Sequence, residues 1–508
     1  MQIFSHVSAG FEGFLIQVEV FIRRGIPAVD IVGLPDGAVR EAKERIRVAI
    51  LQSGFQFPSG RILINLAPAD IRKEGASFDL SLALSVLSAS GQINDMLPGG
   101  SSWLVLGELE LSGRIRAVKG TLPAVAAALK DGVSNILVPP ENLPEAQAAG
   151  RGNIYSLDHL QNLSKLKNTI QADSPNAPMD KIADPDNLPD LKDLKGQAYL
   201  KRALMVAAAG GHHMLLFGPP GSGKTLAANC LEGLLPPLAS ETSHEVSRIW
   251  SQAGKLGRGK GMITRPPFRT PHHSATMEGL IGGGVQIQPG EISLAHGGVL
   301  FLDETPEFQG RILQSLREPL ENGKVTIVRA GQSYWYPSRF QLVMAANPCP
   351  CGNLGKPEAV CICSHNEIQR YWKKVGGALM DRIDIRIPVE PVSPEVLLND
   401  QPLASAELRV SVVEASDRQA FRYKEENFRR NRDIPVGKLG EYCFIRENLQ
   451  AYFTKMARFL GLSSRACHSV LKVARTIADL SGHDDISQED LEEAGQYRRY
   501  GDSNFFWN

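Results

Sequence analysis

The chain has 508 residues, of which 43% are hydrophobic and 22% charged, and its 55 Lys+Arg against 55 Asp+Glu leave a formal net charge of zero. That length predicts about three domains, and the charge balance leaves any contact with nucleic acid to local patches. No apolar run reaches the roughly 20 residues of a membrane helix, the Met1–His6 start lacks signal-peptide character, and seven cysteines suit a reducing compartment as free thiols or metal ligands. The expectation is a cytoplasmic globular protein with no membrane partner.

Strand and helix signals alternate through the first part of the chain. Phe14–Ile22 alternates apolar and polar residues and carries β-branched ones, which predicts a strand, and Ala28–Val32 and Arg61–Leu66 are read as strands too. Val39, Ala42, Ile46, Ala49 and Ile50 fall at helical spacing within Ala38–Ser53. An apolar helix is predicted over Asp79–Ser88, and strands Trp103–Leu106 and Asn135–Val138 around a helix Leu122–Lys130.

Two stretches here, Lys73-Glu-Gly-Ala-Ser-Phe-Asp79 and Gly107–Gly120, resemble the proteolytic domain of Lon-type proteases. Ser77 falls where that family has its nucleophile, but the position matching the catalytic lysine holds Leu122, and Lys119 is out of register with it. A serine needs a base to become a nucleophile. The resemblance therefore implies a Lon-like α+β fold (ribosomal S5 domain 2-like) over residues 1–165 without a working Ser-Lys dyad.

Residues 166–195 are rich in Pro, Asp and Asn, a linker composition. A helix Leu200–Ala209 then leads to the buried-strand run Met214–Phe217, and the chain breaks into Gly218-Pro219-Pro220-Gly221-Ser222-Gly223-Lys224-Thr225, with Leu226 opening a helix. Strand, glycine-rich loop and helix in this order are the context that a phosphate-binding P-loop requires. Gly221 and Gly223 let backbone N–H groups curl round a phosphate at a helix N-terminus, Lys224 supplies charge for the β- and γ-phosphates, and Thr225 offers a hydroxyl to Mg²⁺. The loop thus predicts ATP and Mg²⁺ as ligands.

The polar, glycine-rich interval that follows, with Arg265–Thr276 and Leu280–Gly290, has little core-forming material, so parts of it read as loops or projecting hairpins, and loops this long are usually functional. Val299–Leu302 is an apolar strand ending in Asp303 and Glu304, suited to holding Mg²⁺ and polarising water. A helix starts at Ile312–Leu320. Lys324–Arg339 reads as a β-hairpin whose cations and aromatics could touch nucleic acid or simply pack on their own domain. A further buried strand, Phe340–Ala346, ends in Asn347, a residue able to order a lytic water. Cys349, Cys351, Cys361 and Cys363 sit in a short segment poor in apolar residues: either a small zinc knuckle or four surface thiols. Arg382 precedes a strand at Ile385–Val389. Helices are then predicted at Val410–Arg430, Arg446–Leu460, Arg465–Leu480 and Gln488–Ala494, with Ser463–Ser464 and Ser487 as start signals.

Lys224, Asp303, Glu304, Asn347, Arg382 and Arg465 together resemble an AAA+ ATPase core (residues 196–390, an α/β fold with a parallel sheet) and its helical lid (391–508). The long insertion and the hairpin before Asn347 resemble the helix-2 insert and pre-sensor hairpin of the magnesium-chelatase and MCM branch. Whole segments such as Phe268-Arg-Thr-Pro-His-His273, Pro289–His296 and Asp381-Arg-Ile-Asp384 are similar to the YifB/ComM family of magnesium-chelatase-like AAA+ proteins. The resemblance implies an arginine finger at Arg382 reaching into a neighbouring subunit, a sensor 2 at Arg465, a homo-hexamer, and a DNA helicase driving branch migration in homologous recombination during natural transformation. Two alternatives stay open: a magnesium-chelatase motor subunit, and a DNA-binding or scaffolding protein switched by ATP.

Overall fold

The computed structural model describes all residues except 74, 94–95, 99–101, 169–187, 258, 285–286, 330, 357–358, 401 and 501–508. Most of the expected linker therefore lies outside the described residues.

Two sheets organise the chain. The first is built from β1 (Gln2–Ala9), β2 (Glu12–Arg23), β3 (Ala28–Val32), β4 (Arg61–Ala67) and β5 (Ser102–Val105), a small hairpin β6 (Glu108–Leu109) and β7 (Ile115–Arg116) beside it, then β8 (Asn135–Val138) and β9 (Asn153–Ser156). Its order is β3-β4-β2-β1-β5-β8-β9. β1 and β2 are antiparallel, as are β2 and β4, and the other pairs are parallel. Side chains that alternate along β5 enter two cores. Trp103 and Val105 pack with the helices Gly37–Gln52 and Asp79–Ala89, whereas Leu104 packs with Thr121–Lys130 on the other face.

The second sheet carries β10 (Met214–Phe217), β11 (Phe268–Arg269), β14 (Val299–Leu302), β17 (Gln341–Ala346) and β18 (Ile385–Pro388). Between them lie the short pair β12 (Gly282–Gly283) and β13 (Gln288–Pro289) and the hairpin β15 (Lys324–Arg329) and β16 (Gln332–Pro337). The order is β11-β14-β17-β10-β18, parallel throughout. Helices cover both faces, so β10 and β14 are buried at every position and read as unbroken apolar runs. The expected α/β architecture with a parallel sheet and a helical C-terminal region is what the chain adopts. Helices Ser405–Arg422, Glu447–Phe459, Ser464–Ser481 and Gln488–Gln496 form that region. The start signals act as read: Ser463 accepts from the Ala466 N–H, and Ser487 forms a capping box with Asp490.

The interval after the P-loop helix is partly loop, as expected, and ends in the short antiparallel pair β12–β13, but it also holds an element that the sequence did not signal. It contains a helix, Ser240–Gln252, that buries Val246 and Ile249. Its sequence looks loop-like because serines occupy the buried face. Ser243 donates to the Ile263 carbonyl at 2.5 Å, Ser247 to the Ser243 carbonyl at 2.7 Å, and Ser247 also accepts from the Ile263 N–H at 2.8 Å. Satisfied hydroxyls replace aliphatic contacts there. β1 escaped notice because Ser5 and His6, polar in sequence, are buried within it.

Candidate nucleotide-binding site

The register of the second sheet sorts the candidate residues onto two edges. Phe217 lies beside Ala346, so the P-loop and Asn347 emerge together at the C-terminal ends of β10 and β17. Asp303 and Glu304 leave the neighbouring β14 at the same edge. The backbone there is shaped by glycine: Gly221 and Gly223 have φ of 81° and 93°, and a Cβ on Gly218 would lie 2.1 Å from the Val389 carbonyl oxygen.

The side chains converge. Lys224 Nζ donates to the carbonyls of Gly218 at 2.7 Å and Pro219 at 2.9 Å and to Asn347 Oδ1 at 3.2 Å. Burial pulls the Lys224 ammonium below the usual lysine value, against the opposing charges of Asp303 and Glu304. The Thr225 hydroxyl donates to Asp303 Oδ2 at 2.8 Å, and Asp303 Oδ1 accepts the Glu304 N–H at 2.9 Å. Glu304 has a left-handed backbone, φ 49°, which turns its side chain away from the strand direction. Hydroxyl and carboxylate side by side suit a hard cation that prefers oxygen ligands, as Mg²⁺ does.

Arg382 and Arg465 lie elsewhere. Ile385 pairs with Met214, so Arg382 enters at the N-terminal edge of the sheet, a strand of roughly 13 Å away from the P-loop. Its guanidinium pairs with Glu321, and Arg465 Nη1 lies 3.9 Å from the same carboxylate. The helix that carries Arg465 is tied to this edge by Ser469, which donates to Asp384. The two arginines are brought to each other and not to the P-loop of their own chain.

The four cysteines come together after Asn347, with their sulfurs all within 4.8 Å of one another. Ser77 and Lys119 line one cavity of about 570 Å³ between the first sheet and the β15–β16 hairpin, and among the described residues no hydrogen bond joins them. Leu122 is buried and gives only its backbone N–H, to Glu145 at 2.8 Å.

Three stretches match family models: residues 18–142 the model of subunit ChlI of Mg-chelatase, 190–397 that of magnesium chelatase subunit ChlI, and 403–498 that of the ChlI C-terminal part. The protein YifB of Salmonella typhimurium is 40% identical over 488 residues, 95% of this chain and 94% of that one. The competence protein ComM of Haemophilus influenzae is 38% identical over 503 residues, 98% of this chain and 97% of its own. The chain belongs to the YifB/ComM family of magnesium-chelatase-like AAA+ proteins. A magnesium-chelatase subunit ChlI homologue of Methanocaldococcus jannaschii is more distant, 24% identical over 330 residues, 59% of this chain and 81% of its own. Membership of this AAA+ family points to an ATPase that uses ATP and Mg²⁺, and no helix among the described residues is long and apolar enough to cross a membrane.

Three further residues of this YifB/ComM chain join the site without having been singled out by motif. Gln197 Nε2 donates to the carbonyls of Ser222 at 3.0 Å and Glu390 at 3.2 Å, bracing the P-loop from outside. His273 Nδ1 lies 3.6 Å from Glu304 Oε2. Glu321 collects both arginines. His273 lies in Phe268–His273, one of the stretches that carry the family resemblance, and that was its only signal; Gln197, just before the helix that leads to the P-loop strand, shows its role only through its two hydrogen bonds.

Proposed function

We propose that the chain is an ATP-driven DNA motor working as a homo-hexamer. The observation that carries the reading is the division of the ATPase residues between two edges of one sheet. Lys224, Thr225, Asp303, Glu304 and Asn347 occupy one edge, and Arg382 and Arg465 the other. A site so divided is complete only where one subunit's arginines meet the next subunit's P-loop, a head-to-tail contact that forms a ring when the rotation between subunits closes. Arg465 belongs with Arg382 in this arrangement, donating across the interface rather than to its own nucleotide.

The P-loop amides of Gly218 to Thr225 and the head of the helix at Leu226 cradle the phosphates of ATP. Thr225 and Asp303 would hold Mg²⁺, which supplies charge neutralisation at the phosphoryl oxygens. Lys224 moves its ammonium from the loop carbonyls to the β- and γ-phosphates, Glu304 and Asn347 orient the attacking water, and the partner's arginines offset charge on the transferred group. Of the two readings of Cys349, Cys351, Cys361 and Cys363, their convergence favours the zinc knuckle: the four thiolates would hold the ion, which would supply a structural cross-link.

DNA, single-stranded or branched, is the proposed track, and branch migration in homologous recombination or natural transformation the proposed task. Likeness to a competence protein along nearly the whole chain supports this, as do Lys324 and Arg329 on the β15–β16 hairpin. In this reading residues 1–165, 196–390 and 391–508 form N-terminal, ATPase and lid units of a cytoplasmic protein, joined at 166–195. The magnesium-chelatase reading has the family descriptions in its favour, but the chelatase relative covers far less of the chain. The test is ATP hydrolysis without DNA, with single strands and with a four-way junction, for wild type and Glu304→Gln. Stimulation by DNA with junction unwinding supports the motor; hydrolysis indifferent to DNA and no unwinding overturn it.

A further inference from the structure

The cysteine knuckle has the dimensions of a single-ion site. The sulfurs of Cys349 and Cys351 are 3.4 Å apart, Cys351 and Cys361 3.7 Å, and Cys361 and Cys349 3.6 Å, with Cys363 closing the group within 4.8 Å. Zinc–sulfur bonds of about 2.3 Å place the sulfurs of a tetrahedral site roughly 3.8 Å apart. All four are free thiols. Backbone N–H groups of Asn353 and Ile362 point at the Cys351 sulfur and that of Leu354 at Cys349. Such N–H to sulfur contacts steady metal-bound thiolates. An iron–sulfur cluster interposes several irons and sulfides and needs a wider ring of thiols than this.

The knuckle sits against the nucleotide site. Within it, Gly352 has φ 74°, and a Cβ there would lie 2.7 Å and 2.9 Å from Cγ and Cδ of Pro220, so the knuckle backbone rests directly on the P-loop. Asn347, which accepts from Lys224, stands two residues before Cys349. On the far side Trp372 Nε1 donates to the Pro348 carbonyl at 3.1 Å. The segment from Asn347 to Cys363 has few apolar side chains to hold this shape, and Val360 and Ile362 are both more than 80% exposed. A metal is what would fix it.

We infer that a zinc ion held by Cys349, Cys351, Cys361 and Cys363 clamps the ATP site, keeping Gly352 against Pro220 and Asn347 at Lys224, so that metal occupancy sets nucleotide affinity. This rests on the zinc reading given above and adds to it a second function for the ion. The experiment measures bound zinc and iron by elemental analysis, and affinity for a fluorescent ATP analogue, on the full chain. The samples are wild type as purified, wild type stripped by a chelator and then given Zn²⁺, Cys361→Ser and Gly352→Ala. The expected result is about one zinc per chain in wild type and in Gly352→Ala, which keeps every thiol, and far less in Cys361→Ser. Nucleotide affinity falls about tenfold in the stripped protein, in Cys361→Ser and in Gly352→Ala, and Zn²⁺ restores the stripped wild type. No metal, or iron in place of zinc, overturns the site itself. Zinc present, with affinity unmoved by stripping or by Gly352→Ala, overturns the clamp alone. Should Cys361→Ser fail to fold, the stripped and reloaded wild type decides the matter.

Discussion

The Arg382 guanidinium closes on the Glu321 carboxylate at the edge of the sheet opposite the P-loop, with Arg465 Nη1 3.9 Å from the same oxygen. Burial lowers the Arg382 pKa to about 10, with Arg465 and Arg317 adding to it. Glu321 therefore holds two crowded cations, which in the proposed ring would face a neighbour's phosphates. Arg382→Ala is expected to reduce ATP hydrolysis by about 10³-fold while leaving nucleotide binding intact, the magnitude typical of an arginine finger. Mixing Arg382→Ala with Lys224→Ala chains tests the geometry directly. Subunits of the second kind can lend Arg382 to intact P-loops of the first, so the mixture should hydrolyse ATP when neither variant does alone. A mixture as inactive as its components would exclude action between subunits.

Glu304 and Thr225 should fail in different ways. Glu304→Gln keeps the shape of the site but removes the group that polarises water, and hydrolysis should drop by about 10²–10⁴-fold with binding retained. Thr225→Ala removes the hydroxyl bonded to Asp303, so its defect should appear as a raised Mg²⁺ requirement. Titrating hydrolysis against Mg²⁺ at saturating ATP separates the two.

Gln197→Ala deletes two hydrogen bonds to backbone carbonyls and should cost about 1–2 kcal/mol in nucleotide binding, roughly tenfold in affinity, with little change in maximal rate. Isothermal titration with a non-hydrolysable analogue reads this directly, and a loss in rate with unchanged affinity would count against the bracing role.

Acid stability has a local determinant in Asp384. Burial opposes its ionisation, yet Ser469, His212 and His213 hold its carboxyl below the usual range. A folded value depressed beneath the unfolded one of about 3.9 contributes stability above that pH and loses it as the pH falls through it. Asp384→Asn should thus destabilise by about 2–3 kcal/mol at neutral pH. The gap between the urea transitions of variant and wild type should narrow below about pH 4. A gap independent of pH would mean that the ionised carboxylate is not the stabilising form.

The sequence made some of this plain and hid the rest for physical reasons. β10, β14 and β17 were visible because burial on both faces demands continuous apolar runs, and the loops at their ends carry chemistry that tolerates few substitutes. The helix Ser240–Gln252 was hidden by serines that satisfy themselves on nearby carbonyls. Arg382 and Arg465 could be picked out by likeness, but only the register of β18 and the Ser469–Asp384 bond placed them on the edge away from Lys224. Ser77 and Lys119 share a cavity wall that spacing along the chain gave no means of foreseeing.

The turn between β1 and β2 grips the β15–β16 hairpin. The Phe11 N–H donates to the Trp335 carbonyl at 2.8 Å, their rings lie 5.2 Å apart, and Arg248 stands over the Phe11 ring at 4.3 Å. The first sheet is therefore geared to the hairpin. Any displacement of that hairpin pulls on the β1–β2 turn, and through β1 and β2 on the sheet they belong to.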